Sequence, residues 1–260
     1  MQRSLIGRIN KDFPDLVPGN AIQCNDGGAT PNTGASVGGL SHIGETSLTV
    51  SWFMNCYNFP SVPWVGGGCE FFLNSSERII CMTYSNLFFV RLATAGGIWE
   101  WTTPSTLWHG GSLTEVFRGV MVVFDTSSPT KEGMCKIYRD GETELAANYY
   151  SEPIVAAKPT VLPSINRINV GRINNATYST ANTNMTHLAI HYGHLGTQRE
   201  ARNLWNKGNG ADYQTVVGDP TYFYKFNESD GATTFVDHMG IANLNWVGVA
   251  TPPTMAPFTI

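Results

Sequence analysis

The sequence predicts an all-β protein, an antiparallel sandwich of two sheets carrying one short helix, and three observations predict it. Charged residues make up 14% of the 260, well below the roughly 25% of an ordinary domain, which leaves little to solvate long amphipathic helices. Twenty-seven Gly and 14 Pro supply turns in quantity. Short apolar–polar alternations recur with turn signals at the ~8–12-residue spacing typical of sandwich strands.

Taken in order, residues 1–20 read as an arm, because Phe13-Pro14 and Val17-Pro18-Gly19 interrupt regular structure. Residues 25–41, rich in Gly, Ser, Thr and Asn, read as a loop. Within 47–54, Leu48, Val50 and Trp52 alternate with Thr49 and Ser51, the period of a half-buried strand. Strands follow at 69–73, 78–84 and 87–92, separated by Asn74-Ser75-Ser76 and Ser85-Asn86, and 98–102 alternates again. The nearly continuous run Val120-Met121-Val122-Val123-Phe124 predicts a strand covered on both faces. Asp140-Gly141 predicts a two-residue hairpin turn. Segments 165–170 and 185–192 complete the strands. The helix falls at 198–207: Thr197 and Glu200 match a capping box, Ala201, Leu204 and Trp205 share a face, and Gly208 suits a left-handed end. Its expected place is one end of the sandwich.

Composition also excludes partners. The net charge is −4 and the 16 basic residues are scattered, so no basic stripe exists to displace the counterions of a nucleic acid. No apolar run approaches the roughly 20 residues that span a bilayer, and residues 1–8 lack the apolar core of a signal peptide, so synthesis in a cytoplasm is expected. The five cysteines, Cys24, Cys56, Cys69, Cys81 and Cys135, are odd in number and lack CxxC spacing, which predicts buried thiols rather than a disulfide framework or a zinc site. The Asn-x-Ser/Thr sites at Asn74, Asn175, Asn184 and Asn227 carry no weight in that compartment.

Five motifs in series then resemble one family. They are Phe117 to Asp125; Cys135-Lys136-Ile137-Tyr138-Arg139-Asp140-Gly141; Asn169-Val170-Gly171-Arg172; Met185 to His191; and Leu204-Trp205-Asn206-Lys207-Gly208. In that order, over residues 45–210, they resemble the laminin-G-like and pentraxin-like branch of the concanavalin-A-like superfamily, which implies a two-sheet jelly roll. Tyr222 to Thr234, with Asp237-His238-Met239-Gly240, resembles the opening of such domains yet follows the helix. The resemblance therefore implies a circularly shifted order, with the C-terminal segment supplying strands in cis or to a neighbour. The expected organisation is an arm at 1–20, a sandwich at 21–246 and a Pro-rich tail at 247–260.

Sugar binding uses aromatic faces beside amides or carboxylates, and the candidates are Trp64, Trp99, Trp101, Trp108 and His109; Trp52 and Trp205 read as core. Many relatives bind Ca²⁺ through loop oxygens, which makes Asp26, Asn227, Glu228, Asp230 and Asp237 candidate ligands, although turn chemistry accounts for them as well. The Glu-x-Asp-x-x-Glu pattern of the superfamily's glucanases is missing, and Glu142-Thr143-Glu144 flanks a turn, so no enzyme is expected. His187, His191 and His194 lie on or beside a strand, where four residues span about 13 Å, too far for one ion. Relatives work mostly outside cells, and a cytoplasmically made protein reaches that setting most simply as part of a virus particle released by lysis. The expectation is a structural or adhesion protein of a bacteriophage virion, a capsid decoration or tail component, joined to other virion proteins or to itself and touching host glycans. A free-standing lectin-like module is the alternative, and a degenerate glycosidase a distant third.

Overall fold

The computed structural model describes residues 13–16, 19–24, 34–56, 65–74, 76–84, 87–103, 117–141, 143–145, 148–149, 157–171, 183–247 and 255–258. Its first sheet runs in the order β10 (Thr143–Leu145), β9 (Cys135–Arg139), β8 (Arg118–Asp125), β3 (Ser47–Cys56), β13 (Thr183–Tyr192), β1 (Gly19–Cys24) and β17 (Met255–Phe258), with β14 (Tyr222–Tyr224) also paired to β13. The second runs β11 (Asn148–Tyr149), β7 (Gly97–Thr102), β6 (Leu87–Thr94), β5 (Glu77–Tyr84), β4 (Val65–Asn74), β12 (Ile165–Val170), β2 (Gly34–His42), β16 (Leu244–Val247) and β15 (Thr234–Phe235). All pairings between them are antiparallel. The chain is a two-sheet jelly-roll sandwich, as expected.

The core lies where the inner faces meet. Leu48, Val50 and Trp52 of β3 and Val120, Val122 and Phe124 of β8 face Phe88, Val90 and Leu92 of β6 and Trp99 and Trp101 of β7. Aromatic pairs bridge the sheets: Trp52 with Phe88 at 5.9 Å, Trp101 with Phe124 at 6.3 Å, and His42 with Tyr192 at 3.6 Å between centroids. Truncating one such ring to Ala costs about 3–5 kcal/mol.

A bulge interrupts β13. Thr186 pairs with Phe53 and Ala189 with Ser51, so His187 and Leu188 together face Trp52. His187 takes φ 52°. The extra residue lets Met185 and Leu188 both point into the core.

The first sheet is also covered outside. Met121, Val123, Tyr138, Ala189 and Phe223 lie beneath Ala201 and Leu204 of α1 (Gln198–Trp205) and Tyr213 of α2 (Tyr213–Val216). The two-sided burial predicted for β8 follows from this layer. The capping box is present, with the Glu200 N–H donating to Thr197 Oγ1 and the Thr197 N–H to Glu200 Oε2. Two expectations need correction. The helix covers a sheet face rather than an end, because its apolar side matches the outward residues of β8 and β13. Its left-handed end begins at Asn206 (φ 47°), ahead of Gly208, because Asn tolerates that region by local hydrogen bonding.

The hairpin after β9 also differs from its prediction. Arg139 pairs with Thr143, which leaves three residues in the loop rather than two. Asp140 and Gly141 both have positive φ, 53° and 67°. Gly141 lies against α1: a Cβ there would sit 2.4 Å from Arg202 Cα.

Residues 13–16, β1 and β17 join the sandwich. Leu16 donates its N–H to the carbonyls of Asn209 and Gly210 and packs with Phe53, Phe117 and Trp205. β1 and β17 fall across the expected arm and inside the expected tail, and pair with each other. β14, β15 and β16 enter both sheets within the one chain. β2 occupies residues 34–41 of the stretch read as a loop; Gly, Ala and Ser hid a strand that lies between β12 and β16. Cys69, Cys81 and Cys135 are buried, and burial pushes the Cys81 thiol up, with the Cys69 contact adding to it.

Two outcomes follow. Gly141→Ala, strained by its positive φ and by the α1 backbone, should lower stability by about 2–4 kcal/mol in urea denaturation. Cys69, Cys81 and Cys135 should resist Ellman's reagent in native protein and react at once in guanidinium.

Candidate binding face

The outer face of the second sheet carries a row of side chains brought into line by strand register. Thr234 pairs with Asn245, Asn245 with Ser36, Ser36 with Asn169, Asn169 with Glu70, Glu70 with Ile80, Ile80 with Arg91 and Arg91 with Glu100. Every member except Ile80 is polar, and neighbours bond to one another as cross-strand pairs do. Thr234 Oγ1 donates to Asn245 Oδ1 at 3.2 Å, Ser36 Oγ to Asn169 Oδ1 at 2.7 Å, and Asn169 Nδ2 to Glu70 Oε2 at 2.8 Å. Arg78 lies 3.5 Å from the other Glu70 oxygen, and Arg91 is ion-paired with Glu100.

The row is closed at one end and open at the other. Glu70 is 0% exposed, Asn169 1% and Glu100 7%. On the same face Ile80, Met82 and Phe89 form an apolar cluster, and the Arg91 guanidinium lies 5.2 Å above the Phe89 ring. Buried carboxylates need such partners, because an unpaired charge there costs several kcal/mol. At the open end Thr234 and Asn245 are exposed and Ser36 is half-buried. Beside them Arg167 lies 5.8 Å over the Phe72 ring, and its strand neighbour Gly38 keeps the surface low.

Hydroxyl, amide and guanidinium groups next to an aromatic ring can pair with a ligand rich in hydroxyl or carboxylate groups. Hydrolysis by the two carboxylates of the row is a different matter. Glu70 and Glu100 stand three strand spacings apart, about 14 Å, beyond the ~5–9.5 Å of a glycosidase pair.

The residues singled out from sequence are placed as follows. Trp64, Trp108, His109 and Asp26 lie outside the described residues. Trp99 and Trp101 are fully enclosed between the sheets, so the expectation that they offer faces to a sugar is corrected: their parity on β7 turns them inward and Glu100 outward. Asn227 and Asp230 are exposed, and Glu228 Oε1 accepts from the Val236 N–H at 2.8 Å. Asp237 is 2% exposed, and its carboxylate accepts four backbone N–H groups. Phe223 and Met239 donate to Oδ1 at 2.9 and 3.0 Å; Ile241 and Ala242 donate to Oδ2 at 3.1 and 3.0 Å. Four donors fill the lone pairs a cation would need, so Asp237 holds its loop and is no calcium ligand. Among the described residues no group of three or more His, Cys, Asp or Glu could hold a metal ion.

Sequence reasoning missed the row, although a signal was there. Glu70, Arg91, Glu100 and Asn169 each sit between two core residues of a strand, the outward parity of β4, β6, β7 and β12.

No sequence-family profile matches the chain, and no curated protein does. Solved structures that resemble it include the binding domain of botulinum neurotoxin serotype G, at 10% identity and a TM-score of 0.47, over 63% of this chain and 37% of that one. The native heptameric SAP-like pentraxin of Limulus polyphemus gives 10% identity and 0.46, over 90% and 97%. Domains LG4-5 of the mouse laminin alpha1 chain give 13% identity and 0.44, over 71% and 47%. The chain thus spans less than half the length of the toxin domain it matches.

Asp237→Asn, which aims an amide N–H₂ at donors, should lower stability by about 2–4 kcal/mol by chemical denaturation. Calcium added to the native protein should leave that midpoint unchanged if Asp237 acts only on its loop.

Proposed function

We propose that this sandwich is a non-catalytic structural and adhesion protein of a virus particle, a capsid decoration or tail component that assembles through its terminal segments. The observation that carries the reading is the engagement of both terminal segments with the folded body: residues 13–16 rest on the loop after α1, and β1 and β17 pair at one edge of the first sheet. The buried thiols of Cys69 and Cys81 fit folding in a reducing compartment. The carboxylates of the second sheet are engaged with arginines and lie too far apart for glycoside hydrolysis, which favours binding over catalysis.

A second reading, a glycan-binding module, is favoured by the open end of the polar row. Thr234, Asn245, Ser36 and Arg167 offer both donors and acceptors there, beside the Phe72 ring. The pentraxin and laminin domains similar in architecture share this kind of sandwich; that likeness concerns the fold.

Light scattering of the full chain and of a variant lacking residues 1–12 tests the assembly reading, since the deletion spares the docked residues 13–16 and β1. A defined oligomer that becomes a monomer on deletion is expected. A monomer in both cases would overturn assembly through the arm. Glycan arrays then take up the second reading, with Asn245→Ala and Arg167→Ala expected to abolish any signal while leaving thermal stability unchanged.

A further inference from the structure

Strand register sets two thiols against each other in the core. Cys69 of β4 lies directly opposite Cys81 of β5, with Glu70 opposite Ile80 beside them. Both cysteines turn inward, at 2% and 0% exposure, into the cluster that holds Phe71, Ile79 and Val90. Residues opposed across an antiparallel ladder keep their Cα atoms about 4.5–5.5 Å apart, inside the ~4.4–6.8 Å that a disulfide spans. The two backbones run close here: a Cβ on Gly68 would sit 2.0 Å from the Cys81 carbonyl oxygen. The Cys69 and Cys81 side chains are in hydrogen-bond contact.

The other cysteines are placed differently. Cys135 belongs to β9 of the opposite sheet, and a bond from there would have to cross the ~10 Å between packed sheets. Cys24 of β1 and Cys56 of β3 both stand opposite Thr183, on either side of β13. Two strand spacings, about 9.5 Å, separate them, beyond the ~7 Å at which bridging fails. Among the described pairings, Cys69 with Cys81 is the one that sets cysteine against cysteine.

We propose that Cys69 and Cys81 are a disulfide site, closed by a small-molecule disulfide such as oxidised glutathione, which ties β4 to β5 on the core side of the polar row. Exchange runs in two steps. A thiolate of the pair attacks one sulfur of the oxidant, forms a mixed disulfide and expels one small thiolate. The opposite thiolate then attacks the protein sulfur of that mixed disulfide, breaks its bond to the second small thiol and closes the cross-strand bond. The two protons lost by Cys69 and Cys81 end on the two small thiols, so the pair is oxidised by two electrons and the oxidant reduced by two. Burial, with the Cys69 contact adding to it, keeps the Cys81 thiol protonated in the closed sandwich. The first attack therefore takes place while the hairpin is open, during folding or in a local fluctuation. Pairing of the strands then returns the two sulfurs to each other, and the packing that hid the thiols shields the bond from reductant. Closing the hairpin 69–81 should lower the unfolding equilibrium constant on the order of a hundredfold.

Full-length protein refolded from guanidinium into a buffer of oxidised and reduced glutathione tests this, with remaining thiols alkylated and the product mapped by mass. The expected product carries a linked peptide pair, Cys69 with Cys81. Its urea midpoint should lie above that of the dithiol form and return to it when dithiothreitol is added during unfolding. Cys69→Ala and Cys81→Ala should each lose both the link and the shift, while Cys135→Ala should keep them. If a variant misfolds, the map of the unaltered protein decides. Thiols still reduced at both positions, a glutathione adduct left on either, a different partner for either, or a linked form no more stable than the dithiol would overturn the site.

Discussion

The bulge at His187 is the constraint on which the rest of the first sheet depends. β13 lies at the centre of that sheet, and one inserted residue divides it into two halves with different partners. Beyond the bulge Leu188–Ile190 pair with β14; before it, residues 183–185 pair with β1. A regular strand of the same sequence would turn either Met185 or Leu188 out of the core, because side chains alternate strictly. The bulge keeps both inside and lets a single edge accept two strands from opposite ends of the chain. What β1 and β14 then carry, β17 on one side and the Asp237 loop on the other, is placed by that division.

A second organising contact is the Asp237 carboxylate. Four N–H groups converge on it, and they come from β14 and from the loop before β16. One side chain thus ties the strand of the first sheet to the segment entering the second. These bonds fix the shape of the loop, and the Asn243 amide supports it by accepting the Asp237 N–H at 2.9 Å.

Much of this was legible in the sequence, and the failures share a cause. The alternation of Leu48, Val50 and Trp52, the continuous run at 120–124 and the Thr197–Glu200 box are local signals, and each reports a local structure that formed. β2 was missed because its residues are small and weakly apolar, so its identity comes from the strands on either side rather than from its own pattern. The three-residue hairpin loop and the helix end at Asn206 depend on how the turn meets α1, which no dipeptide reveals. The inward turn of Trp99 and Trp101 was readable from parity, since Ile98, Glu100 and Thr102 alternate with them. The polar row was not: parity puts Glu70, Asn169 and Arg91 outside, but only register between strands distant in sequence places them in one line. Asp237 looked like a ligand because carboxylates in loops often are, and only the positions of four amides reveal its use.

The pairing of β1 with β17 has a mechanical side. Gly19 faces Phe258 and Ile22 faces Met255, so the start of β1 and the end of β17 lie side by side in an antiparallel ribbon. A pull applied between those ends loads the ribbon in zipper fashion, one pair of backbone hydrogen bonds at a time, instead of shearing all of them together. A pull between Gly19 and Phe258 would part this short ribbon pair by pair before it reached the pairing of β1 with β13.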